Sequence, residues 1–349
     1  MGKGIMMQVM DHDDGSGRLI AELRDLILGG ERAAMIHTIC RCGIPDLLID
    51  GALSTEDLAE RSATAPDLLR RVLRALEANG IFVRDVDGKW ALSALGEWLR
   101  PERQGSLHPL AIYASEPWMG RAWEHLEYGL RTGKVPFDYA NGAAYFAYLD
   151  QHPEARGVFD SVMATHQAQR LTTLAGAYDW SRFRHVVDVG GGHGVLLFSL
   201  VRAHPGLFGT VFDLPHVAAV AERHAAWEGL ADKVSIVGGN FLDEAPPAGD
   251  ALILSRILHD WPDEACVRIL HRCRTAMTPA AELLILERVI EGGGGQRAEK
   301  EADVHMHVVL GGKERSRDEF AQLLAGTGFV LDRVVETTTT NQIVVARPV

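Results

Sequence analysis

The stretch HVVDVGGGHG, from His185 to Gly194, runs from an apolar strand-like segment directly into a turn containing four glycines. The residues that follow, GVLLFSLVRAHP, have the pattern of a buried helix, so the local reading is strand, glycine turn, helix. The same grammar continues downstream. Apolar runs at TVFDLP (210–215), VSIVGG (234–239), ALILSRIL (251–258) and ELLILERVI (282–290) alternate with helical segments, among them Pro262 to Met277 and Ser316 to Gly328. Continuous Val/Ile/Leu strands separated by helices predict an α/β fold with a parallel sheet covered on both faces. FVLDRVVE (329–336) and QIVVARP (342–348) predict a closing hairpin that adds an antiparallel strand. Gly292 to Gly295 reads as a linker.

A glycine turn between strand and helix lets a ligand approach the backbone at the switch point of a doubly wound sheet. The dinucleotide fingerprint needs a third glycine at 195, where this chain has Val195, so NAD is disfavoured. What remains is D-x-G-x-G-x-G, built from Asp188, Gly190, Gly192 and Gly194. Asp213 stands at the end of the next strand, where a carboxylate can accept from ribose hydroxyls. Asn240 and Phe241 end the third strand, a polar residue and a ring able to bracket an adenine.

Upstream, the apolar spacing between Leu19 and Ile44 predicts two helices interrupted at Gly29-Gly30, after a frayed terminus over residues 1–17. Ser54 with Asp57, and Thr64 with Asp67, read as capping boxes opening two further helices, the second ending at Asn79-Gly80. Two short strands then flank the Asp87-Gly88 turn. Helix, helix, hairpin reads as a winged helix. Over residues 50–104 there are eight basic residues against ten acidic, and the whole chain of 349 residues carries a net charge of -12. A groove-reading surface has the opposite balance, so the module is read as a packing or dimer element rather than a DNA reader. Residues 106–180 continue as aromatic-rich helices. The expected division is 1–105, 106–180 and 181–349.

Four cysteines are too few for a disulfide framework, and no apolar run is long enough for a signal peptide or membrane span, so a reduced, cytoplasmic protein is expected.

VVDVGGGHG, FDLP, GGNF, LHDWPDE, LILERVI and GGKERS, in this order behind a winged helix, resemble the S-adenosylmethionine-dependent O-methyltransferases of the caffeic-acid type, including their bacterial natural-product branch. The resemblance covers nearly the whole chain from about residue 20. It implies a Rossmann-like methyltransferase sheet, a homodimer, and methyl transfer from S-adenosylmethionine, leaving S-adenosylhomocysteine, to a phenolic or enolic hydroxyl of a small aromatic or quinone molecule. It implies no metal, and the net charge of -12 argues separately against a nucleic-acid or anionic-membrane partner. By this likeness Gly190, Gly192 and Gly194 with Asp188 hold the methionine part of the cofactor, Asp213 and Leu214 the ribose, and Asn240 and Phe241 the adenine. Ser255 and Arg256 are further cofactor candidates, although Ser255 stands where plant members often carry Lys. Asn240 replaces the family's Asp and can still accept through its side-chain oxygen.

His259 follows the fourth strand, read from the run ALILSRIL (251–258), at its C-terminal end, where doubly wound folds place chemistry. An activated methyl donor needs an aligned oxygen and a base for its proton, and an imidazole is matched to a phenol. Glu287 and Glu314 are the implied residues that orient the imidazole, and Asp260 either shares that role, contacts the acceptor or caps the next helix. Trp118, Phe146, Met163, His166, Asp303, Met306 and His307 are the acceptor-pocket candidates. His305-Met306-His307 lacks further ligands at metal spacing. The competing readings are the same fold and cofactor without methyl transfer, a ligand-responsive transcription factor, and an NAD oxidoreductase.

Overall fold

The computed structural model describes residues 14–292 and 296–349, the side chains of 14, 15 and 166–175 excepted. Residues up to Glu116 form one compact unit and residues from Pro117 a second. The expected linker at Gly292 to Gly295 lies largely outside the described residues.

In the first unit, helices Asp14–Ile27 and Gly29–Arg41 realise the interrupted pattern, with the first beginning inside the segment read as frayed. Helices Thr55–Ser62 and Pro66–Ala78 precede the antiparallel strands β1 (Phe82–Arg84) and β2 (Trp90–Leu92), which complete the winged helix. Ser54 caps the first of these helices by accepting from the Asp57 N–H at 3.0 Å. Thr64 does not cap the second. Pro66 opens that helix with its φ already helical and no N–H to satisfy, so Ala65 becomes the boundary and Thr64 pairs with the Ser62 hydroxyl.

Leu58, Leu73, Leu76 and Phe82 form the centre of this unit, and the buried Trp90 indole donates to the Thr55 hydroxyl at 2.9 Å. Arg70 is engaged by Glu56 and Asp67, which removes it from any free basic surface. Leu19, Ile20, Leu23, Leu26 and Ile27 are each more than half exposed in the single chain. That is an apolar helix face of the kind that marks an interaction site.

In the second unit seven strands, β3 (His185–Val189), β4 (Phe208–Asp213), β5 (Val234–Gly238), β6 (Ala251–Ser255), β7 (Glu282–Glu287), β8 (Phe329–Val335) and β9 (Gln342–Pro348), form one sheet in the order β5-β4-β3-β6-β7-β9-β8. Pairing is parallel from β5 through β7, and β9 alone runs antiparallel to the other six strands. Strand alternation splits the apolar residues between two cores. Val186, Ala251 and Ile253 face one, whereas Val187, Leu252 and Leu254 face the other. The chain leaves β3 toward β4 and β5, then returns to β6 on the opposite side. The switch point therefore lies between the ends of β3 and β6.

Leu73 is fully buried among the winged-helix elements. Leu73→Ala should cost about 2–5 kcal/mol. Urea denaturation should show a lower midpoint at unchanged slope, and an unaltered midpoint would show that this position is not part of the core.

Candidate active site

Two loops face the switch point, and each follows from its local sequence. After β3, Gly190, Gly192 and Gly194 all take positive φ, at 71°, 59° and 83°. Side chains disfavour that region, so three alternate glycines fold into a compact turn. A Cβ at Gly190 would also lie 2.5 Å from Ile257 Cδ1. Asp213, at the end of β4, fastens the turn by accepting from the Gly192 N–H at 2.7 Å and from its neighbour Leu214 at 2.7 Å. Burial raises the Asp213 carboxyl above its ordinary range more than these two N–H donors lower it. Each oxygen keeps a second lone pair for a ligand hydroxyl.

Asn240 is more committed than the sequence suggested. Its Oδ1 already accepts from the Leu242 N–H at 3.0 Å and its amide donates to Asp243 at 2.7 Å, an Asx turn that ends β5. Phe241 is half-buried, edge-on to Trp261 at 6.0 Å between ring centres. The buried Ser255 Oγ, at the end of β6, has no hydrogen-bond partner among the described residues. An orphaned hydroxyl and a turn that a Cβ would obstruct fit a polar ligand laid across the ends of β3, β4 and β6.

Beyond Ser255 the chain turns sharply. Arg256 has φ +58, in the left-handed region, and delivers the short 3-10 turn Leu258–Asp260. The Arg256 side chain, expected at the cofactor, is turned instead into the protein. It donates to Glu287 at 3.1 Å and to both oxygens of Glu314 at 3.0 and 3.3 Å. Both carboxylates are essentially inaccessible, and buried anions require a cation. Arg288 donates a further bond to Glu314 Oε1 at 3.1 Å.

His259 is buried beside this cluster. Its Nδ1 faces Glu314 Oε1 at 3.5 Å, and its Nε2 lies 3.1 Å from Asp260 Oδ1. Glu287 contacts the His259 backbone N–H at 3.3 Å rather than the ring, because its other oxygen is held by Arg256. Its hydrogen bond is thus to the His259 backbone. Asp260 does not cap the following helix, Asp263–Ala276, whose N-cap is Pro262.

Burial and Arg256 lower the proton affinity of the imidazole, and Asp260, Glu287 and Glu314 outweigh them, leaving it above the ordinary histidine value. Burial likewise raises the Asp260 carboxyl, beyond what His259 and Arg256 take back. Burial alone would raise Glu314, but its contacts with His259 and Arg256 hold it well below the usual carboxylate range. His259, Glu287 and Glu314 offer atoms within 4.8 Å of one another, and guanidinium groups fill the cation role there.

Other residues of this region have roles that the motifs alone do not assign. The fully buried Arg315 donates to the carbonyls of Leu258 at 2.9 Å and Trp261 at 3.1 Å, pinning the turn that carries His259, and pairs with Asp263. Gly312 permits the approach, since a Cβ there would lie 2.0 Å from the His259 carbonyl oxygen. His305, on helix Arg297–Leu310, faces Trp123 at 6.1 Å. Burial first, then Arg288 and His259, bring it down to about 4, so it is neutral. Only its position beside the other pocket candidates hinted at it.

Of those candidates, Asp303 accepts from the Glu314 N–H at 2.8 Å and thus supports the site. Trp118 is buried among Phe137, Tyr145 and Tyr148, a packing position. Phe146 packs against Tyr145 and Phe159 with about a third of its surface exposed. Met163, Met306 and His307 are half-buried on their helices, and the His166 side chain lies outside the described residues.

Comparison with known proteins identifies the family. Residues 123–330 match the O-methyltransferase domain and residues 25–101 the O-methyltransferase dimerisation domain. The chain belongs to the O-methyltransferase family. A phenazine O-methyltransferase of Lysobacter antibioticus is 38% identical, covering 96% of this chain and 98% of the relative. The structure of a mitomycin 7-O-methyltransferase superposes with a TM-score of 0.90 at 34% identity, over 96% of this chain and all of that one. An O-methyltransferase from neocarzinostatin biosynthesis, solved with S-adenosylmethionine and 2-hydroxy-5-methyl naphthoic acid, superposes with a TM-score of 0.80 at 31% identity, over 91% of this chain and 96% of that one.

A depressed carboxylate stabilises the native state at neutral pH, and this contribution is lost as pH falls through its folded value. Glu314→Gln should therefore flatten the acid limb of stability against pH. At pH 7 it should cost about 3 kcal/mol by leaving buried arginines underpaired. Thermal unfolding from pH 3 to 8 checks this, and parallel wild-type and variant curves would contradict it.

Proposed function

We propose that this protein transfers the methyl group of S-adenosylmethionine to a phenolic or enolic hydroxyl of a small aromatic or quinone natural product, with His259 accepting the hydroxyl proton. The observation that carries this reading is the buried His259, held between Glu314 and Asp260 at the end of β6, beside the switch point that the glycine turn also borders.

S-adenosylmethionine, when bound, supplies a methyl group already activated by its sulfonium. The residues suited to hold it are the Gly190–Gly194 turn, Asp213, Ser255 and Phe241. Their task is to align the donor with the acceptor oxygen. Glu314 faces Nδ1 and favours a proton there, which leaves Nε2 to take the acceptor's proton. Asp260 Oδ1, 3.1 Å from Nε2, shares that hydroxyl and helps stabilise the imidazolium that forms. Burial of the base keeps bulk water from competing for it.

The exposed apolar face of helix Asp14–Ile27, together with the dimerisation-domain match, supports a homodimer. No helix among the described residues is long and apolar enough to cross a membrane. With four free thiols and a net charge of -12, we read the site of action as cytoplasmic, with no nucleic-acid partner.

The test is incubation with S-adenosylmethionine and a panel of hydroxylated phenazines, naphthoates and mitomycin-type hydroxyquinones, followed by mass spectrometry. The expected product has gained one methylene, with release of S-adenosylhomocysteine. On a weakly acidic phenol, His259→Ala should lower kcat by about 10²- to 10⁴-fold. On a hydroxyquinone, whose hydroxyl is already acidic, the loss should be smaller. Full activity of the variant on the weakly acidic phenol would overturn the assignment of the base.

A further inference from the structure

The arrangement around His259 poses an electrostatic problem. Two buried carboxylates beside an imidazole favour its protonated form, and a histidine that is always protonated cannot take a proton. We propose that Arg256 and Arg288 are positioning residues that keep His259 available as a base, by engaging Glu314 from two sides and offsetting the charge of the glutamate pair. The inference rests on the reading of His259 as the proton acceptor.

Two guanidinium donors converge on one oxygen. Glu314 Oε1 receives Arg256 Nη2 at 3.0 Å and Arg288 Nη1 at 3.1 Å, while His259 Nδ1 stands off at 3.5 Å without a hydrogen bond. The guanidinium groups occupy the short contacts, so the carboxylate faces the ring without closing on it. Glu287 is diverted in the same way, with Oε2 on Arg256 and Oε1 on the His259 backbone.

The charged and titratable groups around the ring come from every neighbouring element. Asp260 lies on its own turn, Arg256 follows β6, and Glu287 and Arg288 end β7. Glu314 precedes helix Arg317–Ala325, and Asp303 and the neutral His305 come from helix Arg297–Leu310. Lys313 and Arg315, on either side of Glu314, are turned away to Asp263. Two guanidinium groups thus balance Glu287 and Glu314, leaving Asp260 as the carboxylate closest to the ring. The left-handed backbone of Arg256 agrees with this view. A non-glycine residue in that conformation is costly and persists where its surroundings demand it, here through three side-chain bonds to buried carboxylates.

The test is an NMR titration of the full-length, ligand-free protein carrying ¹³C-labelled histidine, with the His259 ring signal assigned by its loss in His259→Gln. In Arg256→Met the titration midpoint of His259 should move up by about one unit or more. Arg288→Met, which removes the cation in contact with Glu314 alone, should move it in the same direction by less. Arg256→Lys should restore most of the wild-type value. A merely structural role would lower thermal stability and leave the midpoint in place, so unchanged midpoints in both folded methionine variants overturn the proposal. If Arg256→Met does not fold, Arg288→Met decides alone. The titration needs no acceptor, so failure to methylate any tested compound would defeat the proposed reaction without altering this result.

Discussion

The site is organised by a balance of buried charge. Glu287 and Glu314 lie on two elements that meet at the end of the sheet, and neither tolerates burial without a cation. Arg256 satisfies both at once. In doing so it fixes the backbone that leads into the Leu258–Asp260 turn and joins the end of β6 to the end of β7 and to the loop carrying Glu314. Arg315 then binds the carbonyls on either side of His259, and Gly312 lets the two segments approach closely. The imidazole is held by what surrounds its backbone as much as by what faces its ring.

This organisation assigns the two glutamates different tasks. Glu314 addresses Nδ1, whereas Glu287 addresses the main chain and the arginine. The pair that looks equivalent as sequence motifs divides into one residue that faces the ring and one that contacts its backbone. At the other end of the site, the carboxylate of Asp213 fastens the glycine turn by accepting from the Gly192 N–H.

Much of the second unit was legible because strand and helix periods alternate cleanly there. All seven strands of the sheet appear where apolar runs predict them, and the glycine turn takes the positive φ values that its composition implies. The winged helix was legible from Ser54, Asn79-Gly80 and Asp87-Gly88, but Thr64 misled, since Pro66 sets its own helix start. The charge cluster was only partly legible. His259, Glu287 and Glu314 stand in motifs, but nothing local shows that Arg256 and Arg288 converge on them from the ends of different strands. His305 and Arg315 stand in the HMH and GGKERS stretches, but their roles could not be read there for the same reason, because they come from tertiary proximity rather than spacing. Trp118 and Phe146 show the converse. An aromatic residue at helical spacing serves packing as readily as recognition, and Trp118 is enclosed by three other rings.

The central claim is that the glycine turn and His259 serve one reaction, in which a methyl group passes from sulfur to oxygen. Its most direct test is to supply S-adenosylmethionine labelled with ¹³C in the transferred methyl group, together with a hydroxylated aromatic acceptor, and to locate the label by NMR. The expected result is a methoxyl signal correlated to the ring carbon that carried the hydroxyl, growing far more slowly when His259 is removed from an enzyme acting on a weakly acidic phenol. A label found on nitrogen or carbon of the product would contradict it.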